Sequence, residues 1–300
     1  MNSAVHLAAA LFLSPLMLGV ITRVKARFAG RRGAPLLQPY LDLVKLFRKG
    51  SIFSRTTTWV FRMGPVVGLA TAALASLLVP MGGRAPFSFE GDVLLFAYLL
   101  GLGRFFTVAA AMDTGSAFEG MGAAREVTYS ALAEPALFLS LLVLARFSAS
   151  LSLSAMLGPG LGARWGTSGA SLVLVVAALF VVLLAENSRI PVDDPTTHLE
   201  LTMIHEVMVL DHGGPALGMV LLGAAAKLFV LGALVAHVAV PLGEGDPLLG
   251  WAWFLGAQLA IAVAVGVVES VMARLRLVHV PSLLVAACLL SAFAVVLVAR

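Results

Sequence analysis

Apolar runs of about 20 residues, the helix length that crosses a hydrocarbon core, recur eight times along the chain. They are Ala4–Ile21, Trp59–Met81, Asp92–Met112, Val127–Phe147, Ser168–Glu186, Pro215–Val240, Gly250–Ala273 and His279–Ala299. The pattern predicts an all-α integral membrane protein with eight transmembrane helices. The first run has no Lys or Arg ahead of its apolar core, and a basic cluster follows it, so it reads as a span and not a signal peptide. Neither an internal repeat nor a soluble linker domain interrupts the series, and residues 1–300 read as one membrane domain.

Two further elements are expected between the spans. From Pro39, the residues Tyr40, Leu43, Val44 and Phe47 recur at i, i+3, i+4 and i+7, with Asp42, Lys45, Arg48 and Lys49 on the more polar arc. This stretch is too short and too charged to span, and the pattern fits an amphipathic helix lying in the membrane interface. It either anchors the chain to the surface or frames a cavity where a soluble partner docks. The second element lies in the loop Glu186–Gly214, which reads ENSRIPVDDPTTHLELTMIHEVMVLDHGG. Asp194 as N-cap with Pro195 at the first helical position predicts a helix to about Leu210, stopped at Gly213-Gly214-Pro215.

Composition changes the picture only in degree: 60% of residues are apolar and 12% charged, about half the usual charged share. The basic residues matter more for where they sit. Ten of the twenty Lys and Arg lie between Arg23 and Arg62, and Arg125, Arg189, Arg274 and Arg276 fall at turns on the same side. The other side holds only Arg84, Arg164 and Arg300. The positive-inside rule therefore places the Arg23–Arg62 segment in the cytoplasm and both termini outside. The single cysteine, Cys288, excludes an internal disulfide and any cysteine-ligated cluster held by this chain alone.

The candidate chemistry is acidic and buried. Glu126, Ser130 and Glu134 follow at i, i+4 and i+8 on one side of the fourth span, while Arg104 and Lys227 lie near the middles of the third and sixth. A charge at such depth costs at least ~2.5–3.5 kcal/mol on insertion scales and marks either a pathway or a fixed structural pair. The loop adds Asp193, Asp194, Glu200, Glu206 and Asp211, with His198, His205 and His212. A zinc-protease helix is excluded, because Val209 stands where HExxH needs its second His. His198 and His205, seven apart, are a weak ligand pair. Among these residues the sequence shows neither a nucleophile context nor a phosphate-binding loop, and no metal or cofactor site is expected in this chain.

Four stretches together resemble a known family, the membrane subunit shared by respiratory complex I (its subunit 1) and the membrane-bound group 4 [NiFe]-hydrogenases, including formate hydrogenlyase. Arg31-Arg32-Gly33, Leu37-Gln38 and Asp42 to Lys45-Leu46 are similar to the family's RxGP…LQ…D..KL. Gly122-Ala123-Ala124-Arg125-Glu126 leading to Glu134-Pro135 resembles GASRE…EP, and Met272 to Leu277 resembles MARLRL, both of the hydrogenase branch. The loop matches the quinone branch at Glu186, Arg189, Pro191, Asp193, Pro195 and Glu200, but Val192 replaces its Phe, and Thr196 and His198 replace two acids. The resemblance implies a non-catalytic anchor and coupling subunit of a membrane-bound hydrogenase in a prokaryotic cytoplasmic membrane. It implies hydrogenase large and small subunits, iron–sulfur subunits and antiporter-like membrane subunits as partners, which would carry the Fe–S clusters and NiFe centre. The alternative is the quinone-site subunit of a complex I-like NADH:quinone oxidoreductase. On this resemblance Glu126, Glu134, Glu186, Asp193, Glu200, Glu206, Asp211 and Lys227 are the expected relay or coupling residues. Arg31, Arg32, Gln38, Asp42, Lys45, Arg125, Arg189, Arg274 and Arg276 are the expected docking residues.

Overall fold

A computed structural model describes residues 3–83, 85–194, 203–241 and 247–299. In chain order the helices are α1 (Ser3–Phe28), α2 (Gln38–Phe47), α3 (Trp59–Leu78), α4 (Asp92–Asp113), α5 (Ala117–Ser148) and α6 (Leu153–Met156). They continue with α7 (Gly160–Glu186), α8 (His205–Met208), α9 (Gly214–Ala239), α10 (Pro247–Val271), a 3₁₀ turn (Leu277–His279) and α11 (Val280–Ala299). Eight of these are long and apolar enough to cross a membrane, so the chain is a multi-pass membrane protein. In lipid only helices satisfy their own backbone groups within one segment, which is why each apolar run becomes one.

The expected boundaries shift where charge is satisfied inside the protein. The fourth span begins ten residues before Val127, at Ala117. Its extra turns carry Glu119, Arg125 and Glu126, which broke the apolar run but find partners on neighbouring segments. The fifth span begins at Gly160, with a non-helical break at Ser168 (φ −134°, ψ 31°), the residue where the apolar run begins. Of the helix expected over Asp194–Leu210, residues 195–202 lie outside the described residues; within 203–210 the turn α8 is helical. The Asp193 carboxylate takes the N–H groups of Asp194, Ile204 and His205 at 2.9, 2.9 and 3.3 Å, folding the loop back on itself.

Two carboxylates fix the ends of spans. Asp113 Oδ2 accepts the N–H groups of Thr58 (2.7 Å) and Phe61 (3.2 Å), capping the start of α3 from the end of α4. Asp92, fully buried, accepts from Leu153 N–H (2.6 Å) and the Ser152 hydroxyl (3.0 Å), pinning α6 to the opposite end of the bundle. The core lies between α1, α5, α7, α9, α10 and α11, around Phe229, Phe254, Leu144, Leu172 and Leu183. Helix α2 forms over Gln38–Phe47 with no buried residue, and Leu41, Val44 and Phe47 remain exposed. The loop turn α8 sits directly on α5 because Gly122 leaves room: a Cβ there would lie 2.3 Å from Val207 Cγ1.

Candidate functional site

Five charged side chains from four spans meet between α4, α5, α7 and α9. Arg104, halfway along α4, reaches Glu134 and Glu126 of α5 and Glu186 at the end of α7. Its Nη1 donates to Glu134, Nη2 to Glu186 Oε1 at 2.5 Å, and Nε lies 3.9 Å from Glu126. Lys227 Nζ of α9 closes the group, 2.8 Å from the other Glu186 oxygen. Glu126 and Glu134 reach the same guanidinium because their eight-residue spacing keeps them on one helix side. Three carboxylates against two cations leave one negative charge uncompensated when all are ionised. The members differ in exposure: the Glu186 side chain is 3% exposed and that of Glu134 is 44%.

A cavity of about 90 Å³ opens beside this cluster. Gly64, Gly68, Gly103 and Gly223 line it, so the space arises where helices approach closely without side chains to fill it. Arg104, Glu126, Glu186, Lys227, Asn187 and His205 supply its polar wall. A second cavity of about 90 Å³ lies beneath the loop, walled in part by Arg189, Asp193, Glu206, Asn187 and His205.

A separate set of charges holds that loop. Glu269, whose side chain is closed off from solvent, pairs with Lys25 at 2.8 Å and Arg189 at 3.3 Å. Asp193 pairs with Arg274 at 3.0 Å, and Arg125 donates to the Met203 carbonyl at 2.8 Å. Burial raises the Asp193 carboxyl above its ordinary value, against the lowering effect of Arg274 and the three backbone amides. His212 stacks on Phe61 with ring centroids 4.0 Å apart. Burial lowers it to about 4, so it is neutral at pH 7.

The expected relay residues therefore fall into two groups. Glu126, Glu134, Glu186 and Lys227 share one cluster, with Lys227 in direct contact with Glu186. Asp193 and Glu206 border the second cavity, while the exposed Asp211 donates its N–H to Glu119 at 3.2 Å. Glu200 and His198 lie outside the described residues. Of the expected docking residues, Arg31, Arg32, Asp42, Lys45 and Arg276 are exposed, and Gln38 donates to Asp42 at 2.9 Å. Arg125, Arg189 and Arg274 also hold partners within the chain. The sequence marks Arg104 as a costly charge at depth but not as the hub of the carboxylates, and it does not mark Glu269 as the anchor of Lys25 and Arg189. Depth in an apolar run marks such residues, but their partners lie on distant segments and no local spacing names them.

Known proteins share the sequence and the fold of this chain to different degrees. The NADH dehydrogenase family profile matches residues 1–300. Hydrogenase-4 component C of Escherichia coli (strain K12) is 32% identical over 79% of this chain and 74% of its own length. Formate hydrogenlyase subunit 4 of the same strain is 31% identical over 88% and 87%. An NADH-quinone oxidoreductase subunit from Rubrobacter xylanophilus (strain DSM 9941 / JCM 11954 / NBRC 16129 / PRD-1) is 27% identical over 81% and 75%. A chain of the membrane-bound sulfane sulfur reductase, an archaeal respiratory membrane complex, superposes with a TM-score of 0.83 at 23% identity, covering 99% of this chain and 98% of that one. That last likeness is one of fold. With a family profile over its whole length and relatives above 30% identity, the chain belongs to the NADH dehydrogenase family of membrane subunits.

Proposed function

We propose that this chain is the non-catalytic anchor and coupling subunit of a membrane-bound hydrogenase complex. It joins electron transfer in a soluble arm to proton or sodium movement in neighbouring antiporter-like subunits. The observation that carries the reading is the Arg104 cluster. Five charges gathered between four spans have one carboxylate in excess of their cations, and that excess can be met by one mobile proton. Glu134, on the outer face of α5, turns the cluster toward a neighbouring membrane subunit in this reading, and the cavity beside Glu126 and Glu186 opens it toward the loop. The hydrogenase relatives, more similar than the quinone-reducing ones, favour electrons going to protons at a NiFe centre held by a partner. The Fe–S clusters and that centre belong to the arm's large, small and iron–sulfur subunits.

The exposed Arg31, Arg32 and Arg276, with Lys45, Asp42 and Gln38 of α2, form the docking face in this reading, on the cytoplasmic side of the inner membrane. Both termini then lie outside. Helix α2 rests in the interface through Leu41, Val44 and Phe47. The double variant Arg31→Glu/Arg32→Glu tests the assignment. It is expected to release the arm from membranes while the chain stays inserted, scored by co-purification and size analysis in detergent. An arm that stays bound and active removes these two arginines from the docking face.

A further inference from the structure

Two cavities flank the loop turn α8, and their walls have three residues in common: Asn187, His205 and Ala224. One cavity holds Glu126, Glu186, Arg104 and Lys227 in its wall; the other holds Arg189, Asp193 and Glu206. Among the described residues, His205 is the titratable group that faces both. Its Nε2 atom is shut off from solvent without a hydrogen-bond partner, as is the Oδ1 atom of Asn187. Two orphaned buried polar atoms at one junction are uncommon, because each costs about 1–3 kcal/mol unless water satisfies it. At roughly 30 Å³ per water, each cavity has room for about three.

We propose that His205 is the proton-transfer group that joins the loop to the buried cluster. The proposal rests on the coupling reading above and supplies its entry step. One ring nitrogen takes a proton from water in the cavity beside Arg189 and Glu206, forming an N–H bond. The other ring nitrogen releases its own proton to water in the cavity beside Glu126 and Glu186, breaking an N–H bond. One proton has then crossed and the imidazole is neutral again, in the other tautomer; ring rotation restores the first.

The surroundings suit transfer better than storage. Lys227 of α9, Arg189 of the loop, Arg104 of α4 and Arg125 of α5 are the nearby cations, set against Glu126, Glu186, Asp193 and Glu206. Burial, with Lys227 and Arg189, holds the His205 imidazole down to about 4, well below its ordinary 6.5. A resting imidazolium is thereby disfavoured: the ring rests neutral and does not retain the proton that it passes on. The His205 backbone is held in place by its N–H on the Asp193 carboxylate, 3.3 Å away.

The experiment uses the intact complex in inverted membrane vesicles, with redox turnover and vesicle acidification recorded together and assembly scored first. His205→Gln, and replacement of the imidazole by a near-isosteric thiazole that has no N–H, are expected to assemble and to lower both readings at least about tenfold. In His205→Gly, added imidazole is expected to restore them. A thiazole form with normal turnover and acidification overturns the proposal. A loss that imidazole leaves unrestored gives His205 a packing role and overturns it as well. Glu134→Gln, measured in parallel, separates the two levels. If it slows turnover while the thiazole form does not, only the His205 step fails; if neither slows, the coupling reading fails with it.

Discussion

Glu134 and Glu186 bind the same guanidinium, yet the structure assigns them opposite sensitivities. Glu186 is held between Arg104 and Lys227 with its side chain 3% exposed. Glu186→Gln removes the charge between two cations and leaves them facing each other in a low-dielectric space. Breaking a buried pair in this way costs about 3–5 kcal/mol, a large part of the 5–15 kcal/mol that typically holds a fold together. Glu134 is 44% exposed, and in Glu134→Gln the guanidinium keeps Glu186 and Glu126 while the amide oxygen still accepts from it. The expected cost is then smaller than that of Glu186→Gln, because the guanidinium keeps two carboxylates and no cation is left without one. The Gln cannot exchange a proton, however, so coupled turnover should fall at least about tenfold, ~1.4 kcal/mol on the limiting step. Assembly is read by size analysis in detergent and by thermal unfolding, and turnover by hydrogen evolution with ion movement in vesicles. The reasoning is refuted if Glu134→Gln fails to assemble or turns over normally, or if Glu186→Gln is as stable as the parent chain.

Because Val192, Thr196 and His198 depart from the quinone pattern, quinone-site inhibitors are expected to leave hydrogen evolution by the intact complex unchanged; saturable inhibition would favour the quinone-site alternative. Gly122→Ala places a Cβ 2.3 Å from Val207 Cγ1 and 2.9 Å from the Ile204 carbonyl oxygen, and overpacking of this kind costs about 1–3 kcal/mol, seen as a lower melting temperature in detergent. His205 and His212 are both lowered to about 4 by burial, so the released loop binds protons that the packed loop does not. Their stabilisation of residues 203–212 is full above about pH 6.5 and is lost as pH falls toward 4. Hydrogen exchange at Val207–Val209, corrected for intrinsic rate, should therefore be faster at pH 5 than at pH 7, and equal protection contradicts the assignment.

The spans were legible because hydropathy over 20 residues is a local property, and so was the stacking of Glu126 and Glu134 on one helix side. Interior helix ends were less so. The sequence pattern starts the fourth span at Val127, since Glu119, Arg125 and Glu126 look like the edge of the membrane; in the fold the Asp211 N–H, the Met203 carbonyl and Arg104 satisfy them. In the loop, local rules offer Asp194-Pro195 as a helix start, but they do not show that the neighbouring Asp193 carboxylate takes the Ile204 and His205 amides across the loop. Arg104 and Lys227 could be recognised as costly, while the identity of each partner depended on helix packing that a one-dimensional pattern does not contain.

The Arg104 hub also constrains how the chain can be made. Arg104 reaches the bilayer with α4 ahead of every carboxylate that binds it, and an arginine at that depth opposes insertion by ~2.5–3.5 kcal/mol. Glu126 and Glu134 arrive only with α5, after the short connection Thr114–Ser116. Glu186 follows with α7, and Lys227, its second cation, only with α9. The third and fourth spans are therefore best delivered to the lipid as a hairpin, paired before they leave the translocation channel. A released chain that ends at residue 113 would present a helix with a reason to slip back, whereas one that ends at residue 148 would present a pair whose charges already answer each other.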